Sequence, residues 1–156
     1  ILAGKQPHDA DLLPCLNTLA SNLKMACQMF SSHGIRPVFE MINGTDMPRF
    51  LIQNIAQAQE ILEAVRHPAL KMQYDCYHMA MMGEDVLEGL QENIDSIGHI
   101  QFADCPARHE PDTGKIDYAA IFSWLKQSPY AGYTAAEYRP SQASEKTFAW
   151  KDKYFA

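Results

Sequence analysis

Four times along this chain a short apolar run ends in an oxygen-bearing side chain and then breaks into a polar loop. Val38-Phe39-Glu40 passes into Met41-Ile42-Asn43-Gly44, and Met72-Gln73-Tyr74-Asp75 into Cys76-Tyr77-His78. Ile100-Gln101-Phe102 passes into a Pro/Gly-punctuated stretch reaching Gly114, and Ala135-Ala136-Glu137 into Tyr138-Arg139-Pro140. Between these runs apolar residues recur at three- and four-residue spacing, the period of an amphipathic helix. Strands alternating with helices imply a parallel sheet with helices packed against it. The C-terminal strand ends of such a sheet share one face, where α/β folds keep their chemistry. The pattern therefore predicts that Glu40, Asp75, Gln101 and Glu137 converge.

In chain order, Ile1 to Gly4 reads as a strand remnant. A helix is expected from near Pro14, with Leu16, Leu19, Leu23, Ala26 and Phe30 on one stripe and Gly34 as its C-terminal cap. After the strand 35–40, a second helix should place Ile52, Ile55, Gln59, Leu62 and Val65 on one face, with Pro68 stopping it. Leu70 to Asp75 forms the next strand, and His78 falls in the loop behind it. A third helix is expected over about Glu84 to Ile97, stopped by Gly98, before the strand His99 to Phe102. Asp117 suits the N-cap of a fourth helix with Ile121, Phe122 and Leu125 inward. The strand Tyr133 to Glu137 follows, and Ser144 can cap a last amphipathic segment bearing Phe148, Trp150, Tyr154 and Phe155.

The result is a single α/β domain, 1–156, of about five βα units at roughly 30 residues each. A closed (β/α)8 TIM-type barrel needs eight units and typically about 250 residues. Two arrangements stay open: an open sheet, or the larger part of a barrel whose first three units are absent or supplied by another chain. The chain starts at Ile1 without an initiator Met, which leaves a longer product open.

A net charge of −6 argues against a nucleic-acid surface, which needs clustered Lys and Arg. No apolar run approaches the roughly 20 residues of a membrane span, and no secretory leader is visible. Cys15, Cys27, Cys76 and Cys105 form no C-x-x-C pair, so the expected compartment is the reducing cytosol.

Three carboxylates brought to one pocket cannot all ionise near neutral pH unless a cation sits among them. With the neutral oxygen of Gln101 the set is oxygen-only, which favours a hard ion, Mg²⁺ or Mn²⁺, over Zn²⁺ or copper. Each donor lies about one βα unit from the next, so each comes from a different strand. Taken singly, any of these residues is better read as an acid that ends a strand; four at matching positions reverse that. His78 either makes a structural hydrogen bond or orients a substrate oxygen. Arg108 either clamps a substrate carboxylate or sits in water. Asp104, His109 and Glu110 carry weaker claims. Cys76 and Cys105 have no evident base partner and read as packing residues.

Glu-x-Ile-Asn at 40–43, Gln-Tyr-Asp-x-Tyr-His-Met at 73–79, His-Ile-Gln-x-Ala-Asp-x-Pro-x-Arg-His-Glu-Pro-x-Thr-Gly at 99–114 and Glu-Tyr-x-Pro at 137–140 together resemble the hydroxypyruvate isomerase family of xylose-isomerase-like barrels. The resemblance runs through the whole chain and matches the later five of the family's eight βα units. It implies a divalent metal at Glu40, Asp75, Gln101 and Glu137, with Glu40 and Glu137 as the proton-transferring pair. The inferred reaction is conversion of hydroxypyruvate into 2-hydroxy-3-oxopropanoate through an enediolate, and in it Arg108 is expected to hold the substrate carboxylate and His78 a reacting oxygen. Met41 stands where the family usually has proline, Asp112 replaces a glycine and Lys115 an acid; these touch loop shape and substrate fit. A related sugar isomerase or epimerase remains the neighbouring reading, and a DNA-repair nuclease of similar barrel type is disfavoured by the acidic balance. From another class comes a non-catalytic partial barrel. Its bare strand edges near Ile1–Gly4 and Tyr133–Glu137 lead to the expectation of a homo-oligomer.

Overall fold

Side-chain oxygens that accept free amide groups mark where several helices start. In the computed structural model, which describes residues 1–156, Asn54 accepts from Gln57, Asp85 from Glu88 and Asp117 from Ala120. Each replaces one of the hydrogen bonds a first turn lacks, worth about 1 kcal/mol apiece. The helices are α1 (Leu12–Ser31), α2 (Ile55–Val65), α3 (Cys76–Met81), α4 (Val86–Asn93), α5 (Tyr118–Leu125) and α6 (Ala149–Phe155). The strands are β1 (Val38–Glu40), β2 (Lys71–Asp75), β3 (Ile97–Phe102) and β4 (Thr134–Ala136). They form one parallel sheet in the order β1-β2-β3-β4. This is the α/β arrangement of a partial barrel.

Paired residues in a parallel sheet point to the same face. Glu40 pairs with Gln73, Asp75 with Gln101, and Gln101 with Ala135. Counting by twos, Glu40, Gln73, Asp75, His99, Gln101 and Glu137 share one face. The opposite face carries Phe39, Met72, Tyr74, Ile100 and Phe102, all buried in a core with Leu23, Cys27, Ile61, Val65, Leu90 and Phe122 from the helices. Each such large apolar side chain contributes roughly 1.5–3 kcal/mol by leaving water. Phe122 is the hub of the aromatic packing beneath β3, with ring centroids 5.2 Å from Phe102, 5.3 Å from Tyr118 and 5.0 Å from Tyr154.

One irregularity sets the register. Met72 opposes Ile97, yet Gln73 opposes His99, so Gly98 is an extra residue in β3. A side chain there has no room: a Cβ on Gly98 would stand 2.7 Å from Lys71 Cβ and 2.8 Å from Val38 Cγ1. The bulge advances β3 by one position, putting Gln101 rather than Ile100 level with Asp75.

Several expectations are corrected. Gly98 does not stop a helix: α4 ends at Asn93, a single 3₁₀ turn spans Ile94–Ser96, and Ile97 already belongs to β3. The segment after Asp75 is the short helix α3, so His78 is helical and not in a loop. Ile1–Gly4 makes no strand, only a single parallel bridge from Leu2 to Glu40, because Gly4 at φ 83° turns the chain toward an antiparallel bridge between Lys5 and Phe50. The buried stripe of α1 is Leu19, Leu23 and Cys27, with Phe30 exposed. The face of α2 is Ala58, Ile61 and Val65; Ile52 precedes the helix and Gln59 bonds to Asn93 instead. Gly34 sits at φ 70° two residues beyond the Ser32 cap of α1. Ser144 opens a 3₁₀ turn but makes no side-chain cap.

Candidate metal centre

Asp75 does two jobs with its two oxygens. As the last residue of β2 it is also the N-cap of α3, and Oδ1 accepts from the Tyr77 amide at 2.9 Å. That bond holds the carboxylate so that Oδ2 faces the polar side of the sheet. Oδ2 is buried and has no hydrogen-bond partner, the only buried side-chain N or O atom in the chain of which this is true. Burial pushes the Asp75 pKa up to about 7, against the pull of Arg108 and the Tyr77 amide, with the charges of Glu40 and Glu137 adding to the rise.

Glu40 ends β1 and is likewise buried. Its pKa is raised, first by burial and then by the charge of Glu137, while the side chain of Gln73 and the charge of Arg108 work the other way. His78, one turn into α3, brings Nε2 to 3.7 Å from Asp75 Oδ2. Burial and the Arg108 charge hold its pKa down to about 4, so the ring is neutral near pH 7. One donor atom each from Glu40, Asp75 and His78 lie within 4.8 Å of one another.

The other two predicted donors lie on the same face but are turned to protein partners. Gln101 Oε1 accepts from Gln73 Nε2 at 2.5 Å. Glu137, directly after β4 and largely exposed, accepts from Arg108 Nη2 at 2.7 Å. Arg108 is not loose in water. The guanidinium stands over the Tyr77 ring, 5.0 Å from its centroid, and 3.7 Å from Asp75 Oδ2. Its backbone is left-handed at φ 57°, with its amide bonded to the Asp104 carbonyl and its own carbonyl to the Arg139 amide.

Behind His78 runs a network that the strand-end pattern did not single out. Asn43 Nδ2 lies 2.6 Å from His78 Nδ1 and 3.0 Å from Asp46 Oδ2, and Tyr77 OH donates to the same Asp46 oxygen at 2.7 Å. Burial works to raise the Asp46 pKa, but the bonds from Tyr77 and Asn43 win and bring it below the usual carboxylate value. Gln73, too, went unmarked. Period-two counting back from Asp75 would have placed it on the site face. The weaker candidates are structural. Asp104 accepts from the amides of Cys105, Gly114 and Ile116, and Glu110 holds the amide and hydroxyl of Ser141. His109 bonds to the Arg139 carbonyl. Burial raises the thiol pKa of both Cys76 and Cys105, which suits packing and not nucleophilic attack.

The arrangement fits a divalent cation. A buried carboxylate oxygen without a partner is costly, and here it lies beside a second buried carboxylate whose pKa is raised as well. A cation among them removes both penalties. Glu40 and Asp75 are placed to hold it, with Gln101 and Glu137 on the same face.

A family model described as "xylose isomerase-like TIM barrel" matches residues 1–154. The chain is 36% identical to a 2-oxo-tetronate isomerase of Cupriavidus necator over 154 residues, 99% of this chain and 59% of that protein. It is also 36% identical to a hydroxypyruvate isomerase of Escherichia coli over 153 residues, 98% of this chain and 59% of that protein. It thus spans about three-fifths of the length of these curated relatives. Among solved structures, an AP endonuclease, family 2, from Brucella melitensis superposes with a TM-score of 0.89 at 31% identity, covering 94% of this chain and 57% of that one. Parallel strands that deliver their terminal carboxylates to one polar face, together with these matches, place the chain in the xylose isomerase-like TIM barrel family.

Proposed function

We propose that this chain carries the metal-binding and proton-transferring part of an isomerase that interconverts hydroxypyruvate and 2-hydroxy-3-oxopropanoate. The observation that carries the reading is the unpartnered, buried Oδ2 of Asp75 beside Glu40 and His78. Glu40, Asp75, Gln101 and Glu137 would hold the divalent ion, Mg²⁺ or Mn²⁺ by the preponderance of oxygen donors. Bound there, such an ion supplies Lewis-acid stabilisation of negative charge developing on substrate oxygens.

The residues divide the proton work. One of Glu40 and Glu137 removes a proton from the carbon bearing the terminal hydroxyl, leaving an enediolate. The other delivers a proton to the neighbouring carbon, and one proton passes from the first oxygen to the second. Both glutamates are carboxylates on the polar face of the sheet, Glu40 buried at the end of β1 and Glu137 largely exposed after β4, and positioned carboxylates serve as general acid and base. Arg108 meets the substrate carboxylate and His78 a reacting oxygen. The four cysteines are unpaired, consistent with a reducing cytosol; no helix is long and apolar enough to cross a membrane.

The name of the Cupriavidus necator relative supports a second substrate, a four-carbon 2-oxo acid. The test is an assay with hydroxypyruvate, 2-oxo-tetronate and a panel of ketoses, with added Mn²⁺ or with chelator. Metal-dependent turnover of a 2-oxo acid that vanishes in Glu40→Gln and Glu137→Gln is expected. Turnover of ketoses alone would move the assignment to a sugar epimerase or isomerase. Mn²⁺ binding without any turnover would make this a non-catalytic partial barrel.

A further inference from the structure

Asn43 touches neither Asp75 nor Glu40 in any hydrogen bond, yet it governs the ring beside them. Its amide orientation is settled by two partners on Asp46. Oδ1 accepts from the Asp46 backbone N–H at 2.8 Å, and Nδ2 stands 3.0 Å from Asp46 Oδ2. Reversing the amide would set its NH₂ against a backbone N–H and its carbonyl against a carboxylate, both repulsive. Nδ2 therefore faces Asp46 and His78, with one hydrogen for each acceptor. The second hydrogen points to His78 Nδ1 at 2.6 Å, and the Asn43 backbone N–H approaches the same nitrogen at 3.4 Å. Two donors and no acceptor surround Nδ1. A neutral ring must then carry its hydrogen on Nε2, the nitrogen facing Asp75 Oδ2.

We propose that Asn43 is a positioning residue that locks His78 as the Nε2–H tautomer, making His78 a hydrogen-bond donor toward the bound substrate oxygen and not a metal ligand. Proximity alone groups His78 with Glu40 and Asp75 as a three-donor cation site. A nitrogen that carries a hydrogen has no lone pair to give a cation. The same N–H is suited to the oxygen that gains a proton during isomerisation. Asp46 holds Asn43, and Tyr77 holds Asp46, so the lock extends over three residues. The functional meaning rests on the proposed isomerase site; the tautomer itself does not.

The experiment is long-range ¹H–¹⁵N correlation NMR at neutral pH on protein labelled with ¹⁵N-histidine, with the His78 signals assigned from His78→Gln. The expected pattern is a bare, pyridine-like Nδ1 and a protonated, pyrrole-like Nε2. The reverse pattern, or an averaged one, overturns the proposal. In Asn43→Asp the carboxylate accepts from the ring, and the two signals should exchange character; an unchanged pattern would show that Asn43 is not the lock. Mn²⁺ titration of His78→Gln supplies the second readout. Affinity within about threefold of wild type is expected, and a loss of ~10-fold or more, about 1.4 kcal/mol, would make His78 a ligand and sink the proposal. If wild-type protein binds no Mn²⁺, the metal reading fails while the NMR still decides the tautomer.

Discussion

Arg108 Nη2 donates to Glu137 Oε2 at 2.7 Å while standing 3.7 Å from Asp75 Oδ2. A single guanidinium thus ties the residue after β4 to the end of β2, across β3. The loop that carries it is shaped by Asp104, whose carboxylate gathers three backbone amides. An element that looks like a surface connection is therefore what aims a charge at the centre.

The first prediction concerns that pair. Glu137 is 53% exposed and Arg108 22%, so solvent screens the bond and its removal should cost little stability, under about 1 kcal/mol. Its catalytic weight should be larger. Arg108→Lys keeps the charge but loses the planar fork, and we expect KM for the 2-oxo acid to rise by about tenfold or more with the urea midpoint nearly unchanged. An unaltered KM would remove Arg108 from substrate binding.

Stability against pH should expose Asp75 and His78 as opposing groups when measured by urea unfolding in chelator. The Asp75 carboxyl rises from 3.8 to about 7 on folding, so the native state binds more protons between those values and stability falls as pH rises through them. The His78 ring falls from 6.5 to about 4, so the native state binds fewer and stability rises over that window. In Asp75→Asn the falling contribution disappears, and the variant should gain on wild type between pH 4 and 7 by on the order of 3 kcal/mol. In His78→Gln the rising contribution disappears, and stability should fall more steeply with pH. Parallel curves for wild type and both variants would contradict these assignments.

Gly98→Val tests the bulge. The added side chain meets Lys71 Cβ and Val38 Cγ1, and such overpacking costs about 1–3 kcal/mol. Relief by slipping β3 one residue would take Gln101 off the level of Asp75. We expect the loss of stability to be accompanied by weaker Mn²⁺ binding. Lost stability with full Mn²⁺ affinity would show that Gln101 is not needed at the centre.

The sheet has open edges. β4 pairs only with β3, and beyond β1 lies a single bridge to Leu2. Unpaired strand edges recruit other chains, so light scattering should give a mass above the 17.6 kDa of one chain. A clean monomer at micromolar concentration would refute self-association.

The repeat of apolar run, acid and helix period was sufficient to read from residues alone the parallel α/β layout and the face on which Glu40, Asp75, Gln101 and Glu137 stand. Both follow from local rules: period two for strands, period 3.6 for helices, and the shared direction of parallel strands. Three things waited for the fold. The Gly98 bulge depends on how closely Lys71 and Val38 crowd β3. The helical placement of His78 depends on Asp75 capping α3 with one oxygen and leaving the other bare. The lock on the His78 ring joins Asn43 to a residue 35 positions away. Side-chain contacts between distant segments leave no period in the sequence, since only packing of the whole sheet and its helices brings the partners together.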